Sequence, residues 1–129
     1  MSTTIHQEVT FNATPERIYE LLLDEAKHGA FTGAPASICR DVGGRFSCFG
    51  GQIEGCNIEL VAGKRIVQAW RAANWQPGEY SLVRFELESD GKGTRVVLDH
   101  TGVREDQQPH LDNGWHQRYW EPLSKYLTN

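Results

Sequence analysis

The feature that most constrains the fold is an aromatic-rich stretch near the C-terminus, residues 109–127. Apolar side chains recur there at every fourth position, and they are Leu111, Trp115, Tyr119, Leu123 and Leu127. On a period of 3.6 residues this spacing places them on one side of a helix about 28 Å long. Such a stripe needs a large apolar surface, and only the strand-like segments between residues 35 and 101 are long enough to supply it. We therefore expect a long C-terminal helix packed across a curved antiparallel sheet.

The rest of the chain supplies the strands of that sheet and two short helices. Residues 5–11 alternate apolar and polar side chains, which predicts a strand with one buried face. Thr14-Pro15-Glu16 and Asp24 are signals for helix N-termini, so two short helices follow this strand. Further strands are predicted at residues 37–41, 45–49, 52–61, 65–72, 81–88 and 94–101. We predict an α+β fold, one domain over residues 1–129, with a curved antiparallel sheet of about six to seven strands.

The balance of charge limits the partners of the chain. It has 17 acidic and 13 basic residues, a net charge of −4, and its basic residues do not cluster. This argues against nucleic acid or an anionic membrane surface as a partner. No apolar run approaches the roughly 18 residues of a membrane span, and the N-terminus lacks the pattern of a signal peptide. Cys39, Cys48 and Cys56 have no Cys-x-x-Cys spacing, so we expect reduced thiols and a cytoplasmic protein.

The sequence carries no motif for catalysis, metal binding or phosphate binding. The five histidines include no His-x-x-x-His pair, and there is no Gly-x-Ser-x-Gly elbow for a nucleophile. The glycine pairs Gly43-Gly44 and Gly50-Gly51 do not belong to a phosphate-binding loop. We therefore assign no catalytic residue, no metal ligand and no cofactor, and we favour a binding protein over an enzyme.

His100 is the residue best suited to take part in catalysis or ligand binding. If Val96 and Leu98 face the helix, His100 faces it too, near the end of its strand. A histidine there could act as a general acid or base, or donate a hydrogen bond to a ligand. The alternative, which we favour, is a partly buried ring bonded to the backbone or to Asp112.

The inward-facing side chains define the predicted ligand site. Aromatic residues of the helix and the sheet could line a pocket for an apolar ligand, or equally fill a core. Gln68 is in phase with Ile66 and Trp70 and would present a polar group inward. The register around Gly55 is ambiguous, so one of Glu54 and Glu59 is also expected to point inward. The predicted cavity residues are Ile66, Gln68, Trp70, Phe85, Leu98, His100, Asp112, Trp115 and Tyr119.

Five blocks of sequence, in this order, resemble one known family. They are Phe11-Asn-Ala-Thr-Pro-Glu-Arg-Ile-Tyr, Val42-Gly-Gly-Arg-Phe-Ser-Cys-Phe-Gly-Gly, Leu60-Val-Ala-Gly-Lys-Arg-Ile-Val-Gln-Ala-Trp-Arg, Gly93-Thr-Arg-Val-Val-Leu-Asp-His-Thr-Gly-Val, and Asn113-Gly-Trp with a trailing Tyr-Trp-x-Pro-Leu. The family is that of the homologues of the activator of heat shock protein 90 ATPase, in the START-like (SRPBCC) superfamily. The resemblance covers essentially the whole chain and implies the helix-grip fold, also called Bet v 1-like, with a cavity between sheet and helix.

Three functions follow from the residues and the resemblance together. The first is a module that binds a small apolar molecule in that cavity. The second is a chaperone partner that stimulates heat shock protein 90 ATPase, for which the charged candidates are Arg40, Asp41, Arg45, Lys64 and Arg65. The eukaryotic co-chaperone has a separate N-terminal domain for which this chain has no room. The third is an enzyme in which His100, with Asp112 or an inward Glu, carries out proton transfer on a bound apolar substrate. We expect a monomer or a homodimer.

Overall fold

The strands form one antiparallel sheet, and the computed structural model describes it and its helices over residues 2–128. The seven strands are β1 (Ser2–Phe11), β2 (Ala36–Ile38), β3 (Arg45–Cys48), β4 (Ile53–Val61), β5 (Arg65–Ala72), β6 (Ser81–Asp90) and β7 (Gly93–Arg104). Their order across the sheet is β1-β7-β6-β5-β4-β3-β2, and every neighbouring pair is antiparallel. The predicted sheet of six to seven strands is confirmed.

The alternation in β6 and β7 separates a buried face from a charged one. Val83, Phe85 and Leu87 are buried, and so are Val96, Leu98 and His100 on the neighbouring strand. The outer face carries ion pairs instead, in which Asp99 binds both His6 and Arg84. The inner face is therefore the surface that the sequence offers to the helices.

A β-bulge resolves the ambiguous register of β4. Asn57 pairs with Gln68 but Glu59 pairs with Val67, so the bulged residue Ile58 has no partner in β5. The extra residue keeps Glu54 and Glu59 on the same outer face. The expectation that one of these glutamates points inward is therefore wrong, because simple alternation does not allow for the bulge.

The two short helices begin where the capping residues predict. In α1 (Pro15–Leu23), the Thr14 hydroxyl accepts a hydrogen bond from the Arg17 amide at 3.2 Å. In α2 (Glu25–Thr32), the Asp24 carboxylate accepts one from the Lys27 amide at 3.0 Å. Both helices contribute buried side chains to the core beneath the sheet.

The C-terminal helix runs over residues 108–128 and contains one wide turn. It consists of α3 (Gln108–Trp115), a π-helical turn (His116–Trp120) and α4 (Glu121–Thr128). The Glu121 amide bonds the carbonyl of His116, five residues back. The next residue is Pro122, which has no N–H to donate to the Arg118 carbonyl four residues back. In a regular α-helix the proline ring would also clash with that carbonyl. The wide turn accommodates this proline inside an otherwise continuous helix.

The aromatic stripe of this helix packs on the inner face of the sheet. The Trp115 ring lies 5.7 Å from that of Phe85 and 6.1 Å from that of Trp70. Trp120 is also buried and lies 5.9 Å from Phe11. A twisted sheet gripping a long helix is the helix-grip arrangement that the sequence predicted. Within residues 2–128, no helix combines the length and the apolar character that crossing a bilayer requires.

Candidate functional site

A cleft opens where the first half of the C-terminal helix diverges from the ends of β4 and β5. Its volume is about 370 Å³, at the lower end of the range for ligand pockets. Trp70 and Trp115 form its aromatic floor, and Ile53, Ala72 and Leu111 add apolar surface. A floor of this kind can bind the apolar body of a small molecule.

The rim of the cleft is polar. It carries five side-chain amides, which belong to Gln52, Asn74, Gln107, Asn113 and Gln117, together with His110 and Arg118. The Arg118 guanidinium donates to the Gln52 side-chain oxygen at 3.0 Å and lies 5.5 Å from the centre of the Phe49 ring. Arg118 thus spans from the helix to the segment between β3 and β4, at the mouth of the cleft.

His100 lies behind the floor of the cleft in a complete chain of hydrogen bonds. The Trp115 indole N–H donates to His100 Nδ1 at 3.1 Å. The neutral ring therefore carries its proton on Nε2, which is 2.6 Å from the Ser81 hydroxyl. The hydroxyl in turn donates to the Trp70 carbonyl at 3.2 Å. Burial lowers the pKa of His100 to about 3, so the ring stays neutral and structural.

Gln7 ties the first strand to the C-terminal helix. Its side-chain N–H₂ donates to the Asp112 carboxylate at 2.7 Å and to the Asp112 carbonyl at 2.9 Å. Its side-chain oxygen accepts from the Trp120 indole at 2.6 Å. The interpretation of Asp112 as a partner of His100 is wrong, because Gln7 holds this carboxylate and His100 bonds Ser81 and Trp115.

A second buried histidine contacts the middle of the helix stripe, at Tyr119. His28 Nε2 is 3.0 Å from the Tyr119 hydroxyl and 3.8 Å from the Cys48 sulfur. Burial lowers the pKa of His28 to about 4 and raises the pKa of the Cys48 thiol to about 12. The thiol is therefore protonated at neutral pH, which makes it a poor nucleophile.

The nine predicted cavity residues divide into two groups. Trp70, Trp115 and Tyr119 line the cleft. The others do not line it, and they are Ile66, Gln68, Phe85, Leu98, His100 and Asp112. All of this second group except Asp112 are buried, because the helix aromatics fill the space above them. Gln68, the predicted inward polar group, donates to the Asn57 side-chain oxygen at 3.2 Å.

Several residues of the cleft were not found from the sequence. Gly114 and Arg118 line it from the helix, and Phe49 lines it from the turn after β3. A glycine in the middle of a predicted amphipathic helix was an available signal, since glycine there is unfavourable. Pro122 was another, because it indicates an irregular turn just before it.

The described part of the chain contains no group of three or more His, Cys, Asp or Glu side chains that could hold a metal ion.

The charged candidates for a chaperone surface lie near the turns that precede β3 and β5. Arg40 forms an ion pair with Glu20 at 2.7 Å, and Arg65 pairs with Glu59 at 3.1 Å. Arg45 and Lys64 are exposed, and neither forms an ion pair with another residue in the range 2–128.

Comparison with curated proteins finds several relatives that are named as activators of heat shock protein ATPase. The chain is 34% identical over 113 residues to the activator of 90 kDa heat shock protein ATPase homolog of Dictyostelium discoideum, covering 87% of this chain and 30% of that protein. It is 28% identical over 116 residues to the human activator of 90 kDa heat shock protein ATPase homolog 1, covering 90% of this chain and 34% of that protein. The chain thus spans about a third of the length of these relatives.

Solved structures of similar size share the fold. A crystal structure of an HSP90 activator from Plasmodium falciparum superposes with a TM-score of 0.89 at 26% identity, covering 99% of this chain and 96% of the other. The Aha1 dimer from Colwellia psychrerythraea, solved in solution, gives 0.81 at 22% identity, covering 97% and 96%. The family model for "Activator of Hsp90 ATPase homolog 1-like protein" matches residues 12–128. The chain therefore belongs to this family, within the START-like superfamily.

Proposed function

We propose that this chain is a partner of an Hsp90-type chaperone and changes the rate of that chaperone's ATPase. The observation that carries the proposal is the family match over residues 12–128, joined to the full-length similarity with the Plasmodium HSP90 activator. An activator of a second protein acts by binding, so its surface matters more than an internal site. The proposal places the chain in the cytoplasm, which suits its three free cysteines.

Arg45 and Lys64 are the side chains we assign to this contact. Both are exposed, Arg45 at the start of β3 and Lys64 in the turn between β4 and β5. Arg40 and Arg65 are held by glutamates of this chain, whereas no such partner occupies these two among residues 2–128. Cationic side chains that have no partner within the chain can pair with carboxylates on another protein. Such charge pairs speed the association of the two proteins and fix their relative orientation.

The test is the steady-state ATPase rate of the Hsp90 from the same cell, with and without this protein. We expect the wild-type chain to raise the rate and the double variant Arg45→Glu/Lys64→Glu to lose the effect. The control is Lys27→Glu/Lys125→Glu, which changes net charge equally at two exposed positions on helices. If the wild-type chain left the ATPase rate unchanged, the proposal would be wrong. If both double variants lost the effect on the rate equally, the assignment of Arg45 and Lys64 to the contact would be wrong.

A second candidate function is the binding of a small, largely apolar molecule, and the cleft favours it. Its aromatic floor and its volume of about 370 Å³ suit such a molecule. Native mass spectrometry of gently purified protein, compared with the denatured mass, tests this directly. We expect excess mass that disappears on denaturation. A native mass equal to the denatured one, even with small apolar compounds added, would contradict this candidate.

A further inference from the structure

Gly114 keeps the cleft open at a cost to the helix. It is the penultimate residue of α3, within the continuous helix of residues 108–128, and it lines the cleft. Glycine there destabilises a helix by about 1 kcal/mol relative to alanine. Close packing does not explain it, because a Cβ built on Gly114 has no neighbour within 4 Å beyond its own stretch of helix. Its φ is not positive, so backbone conformation does not explain it either. The helix backbone at Gly114 therefore borders open space that a molecule in the cleft can reach.

The electrostatic character of the cleft limits what that occupant is. The chain carries a net charge of −4, yet none of the described residues that line the cleft is Asp or Glu. Its charged lining residue is Arg118, and side-chain amides and His110 surround the mouth. An anion would therefore meet a cation and hydrogen-bond donors without repulsion from a neighbouring carboxylate.

The wide turn of the helix sets the position of Arg118. Gln117, Arg118 and Tyr119 all belong to the π-helical turn, and all three line the cleft. π-Helical turns inside α-helices are frequent at functional sites. Arg118 is held above the mouth by Gln52 at 3.0 Å and by the face of Phe49. The guanidinium is thus positioned to bind a planar carboxylate through two hydrogen bonds.

We propose that the cleft binds a small aromatic carboxylic acid. The ring packs on Ile53, Ala72 and Leu111 beside Gly114, above the buried Trp70 and Trp115, and the carboxylate binds Arg118 at the mouth. A cleft of about 370 Å³ suits a compound of one or two rings. This inference rests on the second candidate function, ligand binding in the cleft, and is independent of the chaperone proposal.

The test compares two probes of the same shape, naphthalene-2-carboxylate and its neutral amide. Binding is followed by two-dimensional NMR of the labelled protein, in which the Gly114 amide reports on the cleft. We expect the acid to bind about tenfold more tightly than the amide, because a charge-assisted hydrogen bond replaces a neutral one. In Arg118→Gln the preference for the acid should disappear.

Two variants of one residue locate the ligand. Gly114→Leu fills the cleft and should abolish binding of both probes, while Gly114→Ala should weaken it less. Both replace glycine by better helix formers, so neither should lower the unfolding temperature. Equal affinity for acid and amide would overturn the inference and leave ligand binding standing. Binding of neither probe would overturn the inference, whereas ligand binding in general is tested by the native mass spectrum. Binding that survives in Gly114→Leu would place the ligand elsewhere and also overturn the inference.

Discussion

Individual buried polar groups connect the sheet to the helix. The chain of bonds from Trp115 through His100 and Ser81 leaves each of these polar atoms with a partner. Trp75 provides a contrast, because its indole N–H is buried and has no hydrogen-bond partner in the described part of the chain. Trp115 and Trp75 are therefore both buried, but the indole N–H of Trp115 has a hydrogen-bond partner and that of Trp75 has none.

Trp115→Phe should destabilise the protein more than Trp75→Phe. The first change leaves His100 Nδ1 buried without a donor, whereas the second removes a donor that has no partner. We expect the free energy of unfolding, measured with urea, to fall by about 1–3 kcal/mol more in Trp115→Phe. Equal losses in the two variants would show that the bond to His100 contributes nothing to stability.

Acid should unfold the protein through its two buried histidines. The folded-state pKa values are about 3 for His100 and about 4 for His28, below the ordinary value of about 6.5. Below about pH 6.5 these histidines bind protons in the unfolded chain but not in the folded chain. The free energy of unfolding therefore falls as the pH falls towards the folded-state pKa values. His6 titrates above this window, because hydrogen bonds to Asp99 and Glu8 raise its pKa.

Each histidine should contribute a slope of about 1.4 kcal/mol per pH unit between about pH 6 and 4.5. Urea unfolding across this range measures the summed slope. His28→Gln keeps a polar group near Tyr119 but does not titrate, so it should halve the slope. A free energy of unfolding that is flat across the range would contradict the lowered pKa values.

The candidate site could be predicted only in part from single residues. Alternation along β7 correctly placed His100 inward, but its partners Ser81 and Trp115 come from other elements and depend on register. Large aromatic residues could line a pocket or fill a core, and most of them fill the space between helix and sheet. Gly114, which lines the cleft, has no side chain and therefore adds nothing to an apolar pattern.

Most elements of the fold could be predicted because their signals are local. Turn residues and capping residues set the ends of the helices and hairpins, and β5 begins and ends where it was predicted. The bulge at Ile58 could not be predicted, because it shows only in the pairing of β4 with β5. The close approach of Gly55 to β5 could not be predicted either, although a Cβ on Gly55 would clash with the Ala69 carbonyl oxygen. Such contacts between strands have no signature in one segment of sequence.

Gln7 joins three elements, so its loss should affect more than its own strand. It connects β1 to α3 through Asp112 and to the π-helical turn through Trp120. Gln7→Leu would leave the Trp120 indole and the Asp112 carboxylate without these partners. We expect the free energy of unfolding to fall by roughly 2–4 kcal/mol, with faster amide exchange in the C-terminal helix.

The matched control for Gln7→Leu is Thr10→Leu on the exposed side of the same strand. Exposed substitutions of this kind change stability by about 0.5 kcal/mol or less. If the two variants unfolded at the same urea concentration, Gln7 would have no special part in holding the helix to β1.

At the scale of the whole molecule, sheet and helix share one aromatic core. All four tryptophans are buried, Trp70 on the sheet, Trp75 in the following loop, and Trp115 and Trp120 on the helix. The Trp70 and Trp115 rings lie 6.1 Å apart, and Trp75 lies 5.7 Å from Trp70. Because each layer buries its apolar face only against the other, neither has a core of its own.

We therefore propose that the chain unfolds as one domain, in a single cooperative transition. Circular dichroism in the far ultraviolet reports on sheet and helix, and tryptophan fluorescence reports on the shared core. The two transitions in urea should coincide in midpoint and slope, as two-state unfolding requires. Detachment of the C-terminal helix before the sheet melts would expose Trp115 and Trp120 first. The fluorescence transition would then precede the dichroism transition, and the proposal of one cooperative unit would be wrong.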